Sequence, residues 1–288
     1  WWYDALVVGG DAYVDHPSFG TAVISRVLEA EGLRVAVLAQ PDWHDAEAFR
    51  AMGRPRLGVF IGAGNLDSMV AHYTAAKRRR SEDFYSPGKR TGCRPDRAAI
   101  VYCNRAREAF GPDVPIILGS LEASLRRFAH YDYWDDSVRR AILFDAPADL
   151  LVYGMGEAAT IEIAHRLKKK QSVHTMTDIP GTGYITRDPS VCKFDHITLP
   201  SYEDVRDDKR LYAEATRTEY AEHDPVRGRA MIQPCEGRYL VINPPAMPLD
   251  TKELDRVADL PYTREVHPMY DDMGGVPAIE EVRFSCIH

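Results

Sequence analysis

Five short apolar runs, each followed by a helical pattern, constrain the fold of this chain most strongly. The runs are centred on Val7, Val37, Ile61, Ile117 and Val152. Each run has the length of a buried strand, and apolar residues recur between runs at spacings of three and four, as in an amphipathic helix. Strands that alternate with helices form a parallel sheet with helices on both faces. We therefore predict an α/β fold with a doubly wound, mostly parallel five-stranded sheet.

The loop after the first strand is unusually polar. It carries Asp11, Asp15 and His16 between Gly9 and Gly20. Helix capping explains one or two such side chains. Ligands of open α/β sheets bind beyond the carboxyl ends of the strands, where loops of this kind converge. The loop is therefore either a structural connection or one wall of a functional crevice.

Glycine-containing loops also follow the third, fourth and fifth strands, and they carry Asn65, Glu122 and Glu157. Because the strands are predicted to be parallel, these loops should meet the first one at the same edge of the sheet. The six polar residues are our candidates for a crevice that binds substrate or closes against a following domain. For each of them a helix cap or a hydrogen bond between segments is the alternative, and no catalytic residue is assigned.

Composition narrows the class of protein. The formal net charge is −7 over 288 residues, which argues against a surface that binds nucleic acid throughout. No apolar run approaches the roughly 20 residues that span a bilayer, and the first residues do not have the pattern of a signal peptide. A cytoplasmic location without a membrane partner is expected.

A basic insert interrupts the alternation of strands and helices. It covers residues 77–97 and contains Lys77, Arg78, Arg79, Arg80, Lys89, Arg90, Arg94 and Arg97. One interpretation is a flap that makes weak contacts with RNA or another anion, with Tyr73, Phe84 and Tyr85 available for stacking. The other is a solvated surface loop.

The cysteines give no metal signature. Cys93, Cys103, Cys192, Cys235 and Cys286 are scattered, with no pair at metal-ligand spacing. A chain of this length does not need disulfides to fold, so reduced and mostly structural thiols are predicted. No metal site is assigned to these residues.

The pattern changes near Gln171, and we predict three sections: an α/β domain over 1–170, an α+β connecting region over 171–243, and a linker with the start of a further domain over 244–288. The connecting region contains short strands at 182–186 and 195–199 and a long charged helix from Tyr202 to about His223. A hairpin is predicted around Glu236-Gly237.

Several motifs resemble the N-terminal region of YgiQ-like radical SAM proteins. They are Asp11 through Gly20, Gln40-Pro41-Asp42-Trp43, Gly64 through Val70, His72-Tyr73-Thr74, Glu122 through Trp134, Tyr153 through Glu157 and Val241 through Pro245. The resemblance extends over essentially the whole chain. It implies a Rossmann-like first domain, similar in architecture to cobalamin-binding domains, and places the first strand of a radical SAM barrel at residues 281–288.

The resemblance also implies cofactors. Radical SAM enzymes hold a 4Fe–4S cluster on three cysteines spaced C-x3-C-x2-C, and the cluster with S-adenosylmethionine generates a radical that abstracts hydrogen from the substrate. These cysteines are expected beyond His288, so residues 1–288 are expected to be non-catalytic alone. Cobalamin binding is disfavoured, because Asp15 and His16 are adjacent and do not form the D-x-H-x-x-G signature. The alternative function is a non-catalytic nucleotide- or RNA-binding α/β module.

Overall fold

The structure is a computed structural model that describes residues 2–280, and the barrel strand predicted over 281–288 lies outside the described residues. The described strands are β1 (Ala5–Gly9), β2 (Val35–Ala39), β3 (Gly58–Ile61), β4 (Ile116–Leu118), β5 (His130–Asp132), β6 (Ser137–Arg139), β7 (Leu150–Val152), β8 (Thr182–Thr186), β9 (His196–Thr198), β10 (Ala230–Cys235) and β11 (Arg238–Ile242). The short strands β5 and β6 pair only with each other.

The described helices alternate with the strands in the first half of the chain. They are α1 (Gly20–Ala30), α2 (Glu47–Ala51), α3 (Ser68–His72), α4 (Ala98–Phe110), α5 (Ser120–Leu125), α6 (Glu157–Lys168), α7 (Tyr202–Asp207), α8 (Lys209–Ala221) and α9 (Thr251–Ala258). Short 3₁₀ turns lie between several of them, and a further one covers Pro268–Met273 after α9.

The main sheet has the order β2-β1-β3-β4-β7-β8-β11-β10-β9. Its first five strands are parallel neighbours, with Val7 opposite Val37 and opposite Phe60. The prediction that the five apolar runs form one parallel sheet is confirmed. The prediction of five strands in total is wrong, because the described sheet has nine.

The additional strands come from the predicted connecting region. β8 pairs antiparallel with β7, and β11 pairs antiparallel with β8. β7 would otherwise present an unpaired sheet edge, which proteins generally cover or pair. The predicted hairpin is confirmed: β10 and β11 pair antiparallel around Glu236 and Gly237, whose φ angles of 49° and 71° are both positive, as a type I′ turn requires.

Both faces of the parallel half are covered by helices. Leu6, Val8 and Ile61 belong to one apolar cluster with residues of α2 and α4. Val7 and Phe60 belong to another with residues of α1 and α6. Successive residues of a strand point to opposite faces, so strands that are apolar throughout serve two cores at once. The doubly wound arrangement is therefore present.

The prediction of one long charged helix over residues 202–223 is wrong in one respect, because the structure has two helices there. α7 ends at Asp207, and Asp208 has extended backbone. The Asp208 carboxylate accepts a hydrogen bond from the N–H of Arg210 at the start of α8. Such local side-chain bonds compete with helix continuation.

A third apolar cluster joins the C-terminal described segment to the loop after β1. Val257, Tyr262 and Tyr270 pack with Val14 and Phe19 of that loop and with residues of α1. The segment thus packs directly against the first domain predicted from the sequence. The three sections and their boundaries stay a prediction.

Asn243 holds the junction between the parallel and antiparallel halves of the sheet. Its side chain is fully buried, and its amide donates to the carbonyls of Thr177 and Ile179 and to the Thr182 hydroxyl. The backbone carbonyl of Asn243 accepts a hydrogen bond from the hydroxyl of Tyr153, just beyond β7. One side chain therefore ties the end of β11 to the start of β8.

We expect Asn243→Ala to lower the free energy of unfolding by about 2–3 kcal/mol, because it leaves buried carbonyl acceptors without donors. Denaturant unfolding of this variant checks the value. Asn104→Ala is the control, since the Asn104 amide is exposed and donates to a carbonyl within its own helix; it should change stability by less than about 0.5 kcal/mol. Equal effects of the two substitutions would contradict the role given to Asn243.

Candidate functional site

A cavity of about 350 Å³ lies at the carboxyl ends of β1, β3, β4 and β7. The loops after these four strands line it, together with residues of α1 and α6. This is the edge of an open α/β sheet where ligands generally bind. The four predicted loops do meet around one crevice, and its use as a site remains a prediction.

Glu157 is the one of the six candidate residues that lines this cavity. It stands in the first turn of α6, where a carboxylate is favoured by the helix dipole. Its Oε2 atom is buried and has no hydrogen-bond partner among the described residues. Native structures rarely leave a buried carboxylate oxygen in this state.

Asp11 lies in a buried ion network. Its Oδ1 accepts a hydrogen bond from Nη1 of Arg94 at 2.6 Å, and its Oδ2 accepts the N–H of Asn65, also at 2.6 Å. The other guanidinium nitrogen of Arg94 binds Asp83. Burial raises the pKa of Asp11, and Arg94 only partly offsets this effect. The network joins the loop after β1, the loop after β3 and the basic insert.

Two glycines are required where these loops meet. A Cβ at Gly10 would lie 1.9 Å from the carbonyl oxygen of Ala63. A Cβ at Gly64 would lie 2.3 Å from Oδ1 of Asp11, and the φ angle of Gly64 is +112°. The Ala63 backbone therefore accounts for Gly10, and the Asp11 side chain with the positive φ angle accounts for Gly64, without a ligand.

Asp15 joins the same loop to α1 and to the C-terminal segment. Its carboxylate pairs with Arg26 and accepts the backbone N–H of Thr263 at 2.9 Å. Burial would raise the pKa of Asp15, but the bonds from Arg26 and Thr263 outweigh it and lower that pKa. Beside it, Val14 forms an antiparallel bridge with Val266.

His16 and Asn65 shape the turn that leads into α1. Nδ1 of His16 accepts the backbone N–H of Ser18 at 3.1 Å. The Asn65 amide donates to the carbonyl of Ser18 and accepts the N–H of Gly20, the first residue of α1. The loop after β3 therefore fixes the start of α1.

Glu122 is fully buried and stands in the first turn of α5, not on a loop as predicted. Its carboxylate accepts the N–H and hydroxyl of Ser68 and the N–H of Ala99. Burial raises the pKa of Glu122, with Arg126 acting in the opposite direction. In this way Glu122 satisfies backbone groups at the starts of α3 and α4.

The six candidates thus fall into two groups. Asp11 and Asn65 are in direct contact, and with Asp15, His16 and Glu122 they hold the loops in place, whereas Glu157 lies at the cavity. Sequence reasoning missed the cavity's hydroxyl groups, which belong to Ser18, Thr21, Ser120 and Thr160. Thr21 and Thr160 stand one helix turn or less from predicted helix starts, the one sequence signal that places them near this edge.

The basic insert makes interior contacts that its sequence did not indicate. Arg94 is fully buried in the network with Asp11 and Asp83, and Arg97 pairs with Asp132 and Asp135. Arg94 and Arg97 are therefore part of the fold, whereas residues 77–82 are exposed. The geometry of the insert adds no support to the RNA interpretation.

A second polar cluster surrounds Arg127, which lies over the ring of Tyr153 at 4.9 Å. One of its nitrogens is 3.3 Å from Nδ1 of His223. Burial raises the pKa of nearby Glu219 to about 7, although the charge of Arg127 lowers it. No spacing in the sequence connects Arg127 with α8 or with His223, which lies 96 positions later.

Within residues 2–280, no group of three or more His, Cys, Asp or Glu side chains is placed to hold a metal ion. Cys93, Cys103, Cys192 and Cys235 are all free thiols, and the described part of the chain offers no donor set for a 4Fe–4S cluster. Among the same residues, no helix is both long and apolar enough to cross a bilayer.

Comparison with known proteins decides the family. The model of the family described as "Radical SAM N-terminal" matches residues 2–285. This chain belongs to the Radical SAM N-terminal family. The resemblance inferred from the sequence motifs is thereby confirmed.

This chain has curated relatives that are considerably longer than it is. It is 54% identical over 282 residues to a UPF0313 protein of Clostridium botulinum, a match that covers 98% of this chain and 44% of the relative. A UPF0313 protein of Clostridium perfringens is 53% identical over 284 residues, covering 99% of this chain and 43% of the relative. The chain thus spans less than half the length of these relatives.

Among solved structures, the radical S-adenosylmethionine methyltransferase TsrM from Kitasatospora setae is similar. The match with its complex with tryptophan substrate and a SAM analogue has 21% identity and a TM-score of 0.39, covering 62% of this chain and 28% of that one. The match with its form with cobalamin and a [4Fe-4S] cluster bound has 19% identity and the same TM-score of 0.39, covering 64% and 27%. At this level of similarity the match carries no residue of TsrM over to this chain.

The raised pKa of Glu219 gives a pH-dependent prediction. The carboxyl keeps its proton up to about pH 7 in the folded chain but loses it near pH 4.3 when unfolded. The folded state therefore binds more protons between these values, and its stability should fall as pH rises through this window. Glu219→Gln should flatten the fall by about 1–3 kcal/mol, measured by unfolding from pH 5 to 8. An unchanged slope would contradict the burial of this carboxyl.

Proposed function

We propose that this chain is the N-terminal section of a radical SAM enzyme and that its crevice receives part of the substrate. The observation that carries the proposal is the family match over residues 2–285. The relatives continue for more than the length of this chain, since it covers 44% of the first. The continuation is where the proposal puts the barrel, the cluster cysteines and the site for S-adenosylmethionine.

The role proposed for the described residues follows from the number of cysteine ligands that a cluster needs. Three converging thiolates are needed for a cluster of this type, and the described cysteines do not supply them. The described residues are therefore assigned to binding and positioning. Asp11, Asp15, His16, Asn65 and Glu122 fix the crevice loops, and Glu157 contributes a polar group to the cavity.

Exposed apolar side chains that follow three of the parallel strands support contact with the rest of the protein. Val70 after β3, Leu121 and Leu125 after β4, and Met155 after β7 are between 43% and 61% exposed. A group of exposed apolar residues is often an interaction surface. The proposal places the barrel against this edge, so that the cavity opens towards it.

The test uses the full-length protein, reconstituted anaerobically with iron and sulfide. We expect the visible absorption of a 4Fe–4S cluster and formation of 5′-deoxyadenosine from S-adenosylmethionine under reduction. A variant with Cys93, Cys103, Cys192 and Cys235 all replaced by Ala should keep both signals, because its cluster ligands lie elsewhere. A variant that lacks the C-x3-C-x2-C cysteines should lose both.

Two results would contradict the proposal. One is a folded full-length protein that holds no cluster. The other is loss of the cluster in the folded Cys93/Cys103/Cys192/Cys235 variant, which would place ligands within the described residues.

A further inference from the structure

Two helices begin at the cavity. α1 and α6 pack against the same face of the sheet and against each other, and both follow parallel strands, so both N-termini lie at the carboxyl edge. Gly20 and Thr21 of α1 and Glu157 of α6 line the cavity. The axes of packed helices are about 8–10 Å apart. One small group between the two first turns therefore contacts both.

The backbone donors at these two helix starts are unused. The residues that precede α1 and α6 provide no side-chain cap. The N–H groups of Thr21 and Ala22 in α1, and of Glu157 and Ala158 in α6, have no acceptor among residues 2–280. The first turn of a helix carries partial positive charge and stabilises an anion that accepts its N–H groups.

The hydroxyl of Thr160 is an independent sign of a ligand. Thr160 is the fourth residue of α6, lines the cavity and is only 2% exposed. Its hydroxyl bonds to no group in the described part of the chain, yet the oxygen keeps accessible surface. Buried hydroxyls in native structures generally have a partner. An acceptor inside the cavity would supply that partner.

The same hydroxyl lies beside the start of α6. A Cβ at Gly156 would be 4.0 Å from Oγ1 of Thr160. The carbonyl of Gly156 accepts the N–H of Thr160 and leaves the hydroxyl free. An anion that accepts the N–H of Glu157 therefore lies close to this hydroxyl as well.

Thr21 provides the matching donors on α1. Its Oγ1 lies over the end of β1, 2.5 Å from the position that a Cβ of Gly9 would take. Neither the hydroxyl nor the N–H of Thr21 has a partner elsewhere in the described chain. Both groups are therefore available to one acceptor at the cavity.

The charge balance favours a single negative charge. No Lys, Arg or His is among the described residues that line the cavity, and Glu157 in the first turn of α6 offsets part of the positive end of that helix. A dianionic phosphate would be buried with too little compensation. A carboxylate carries one charge, and its two oxygens accept hydroxyl and N–H groups from both helices.

The floor of the cavity is apolar. Val7, Phe60 and Ile117 lie side by side across β1, β3 and β4, and together with Val152 of β7 they form this floor. Burial of an apolar group on it is favourable, and an aromatic ring gains additional contact with Phe60. The volume of about 350 Å³ falls at the lower end of the range for small-molecule sites.

We infer that the cavity binds a small apolar carboxylic acid as its carboxylate, placed between the first turns of α1 and α6, where Thr21 and Thr160 donate to it. The apolar body of the compound lies on the floor formed by the sheet. The inference rests on the proposed function only in regarding this compound as the substrate or a part of it.

The test measures binding to the full-length protein by calorimetry, without iron, S-adenosylmethionine or reductant and in a buffer free of carboxylates. The probes share a naphthalene ring: 2-naphthylacetate, 2-naphthylacetamide, 2-naphthylmethylphosphonate as its dianion and 2-(2-naphthyl)ethylamine. We expect saturable binding of the acetate and about tenfold weaker binding of the neutral amide, because hydrogen bonds to a charged acceptor are stronger. The dianion should bind more weakly than the acetate, and the ammonium should show no saturable binding.

Two isosteric variants locate the carboxylate. Thr160→Val and Thr21→Val each remove a hydroxyl that has no partner among the described residues, so both should fold, which circular dichroism checks. Each should bring the acetate and the amide to within about threefold of each other. Thr216→Val is the matched control, because Thr216 is exposed on α8 and its hydroxyl donates to the carbonyl of Tyr212 in the same helix; it should bind every probe as the wild type does.

The inference is overturned if 2-naphthylacetate does not bind saturably, if the dianion or the ammonium binds as tightly as the acetate, or if either folded variant, Thr160→Val or Thr21→Val, binds the acetate like the wild type. None of these results depends on radical chemistry. A protein that binds 2-naphthylacetate as expected but forms no 5′-deoxyadenosine would contradict the proposed function and leave the cavity assignment intact.

Discussion

Arg94 is fully buried, and its guanidinium joins Asp11 and Asp83 in one network. Taking three charged groups out of water is costly, and the attraction between them compensates only when their hydrogen bonds are well made. Here Asp11 also accepts the N–H of Asn65, and Asp83 accepts the hydroxyl of Ser86. Breaking such a network from one side typically costs about 3–5 kcal/mol. The loops at the carboxyl edge depend on it for their positions.

The sheet supplies the rigid part of this arrangement. Parallel strands that are apolar on both faces bring the ends of β1, β3, β4 and β7 to one edge, and the glycines at those ends let loop backbones pack closely. Since Asp11, Asp15, Asn65 and Glu122 are engaged in holding the loops, the cavity between them is left with apolar walls, hydroxyls and Glu157. The polar groups that line the cavity are those that do not hold the loops in place.

The parallel half of the fold could be predicted because each of its strands is a short apolar run that is visible in the local sequence. Val7, Val37 and Val152 lie in apolar runs of strand length, and topology then brings the loops together. The antiparallel half was assigned to a separate region, because short alternating strands such as Thr182–Thr186 do not indicate which edge they will join. The break at Asp208 was missed because a single helix cap interrupts an otherwise helical pattern.

The partners of the candidate residues were the least predictable part. Asp11 and Arg94 are 83 positions apart, and no periodicity or spacing connects them. The same holds for Asp15 and Thr263, which are 248 positions apart. The sequence predicted that polar side chains follow the carboxyl ends of the parallel strands. Whether each side chain faces the cavity or bonds to another segment depends on contacts between residues far apart in the sequence.

Amide hydrogen exchange on the full-length Arg94→Leu variant tests most directly whether this network holds the crevice. The account predicts faster exchange than in the wild type over residues 9–20, 62–67 and 83–97, while β8, β10 and β11 exchange as before. Arg206→Leu, which removes an exposed ion pair with Asp207, should leave all of these segments unchanged. Exchange in the Arg94→Leu variant that is unchanged in the three loops, or increased equally throughout the sheet, would contradict the account.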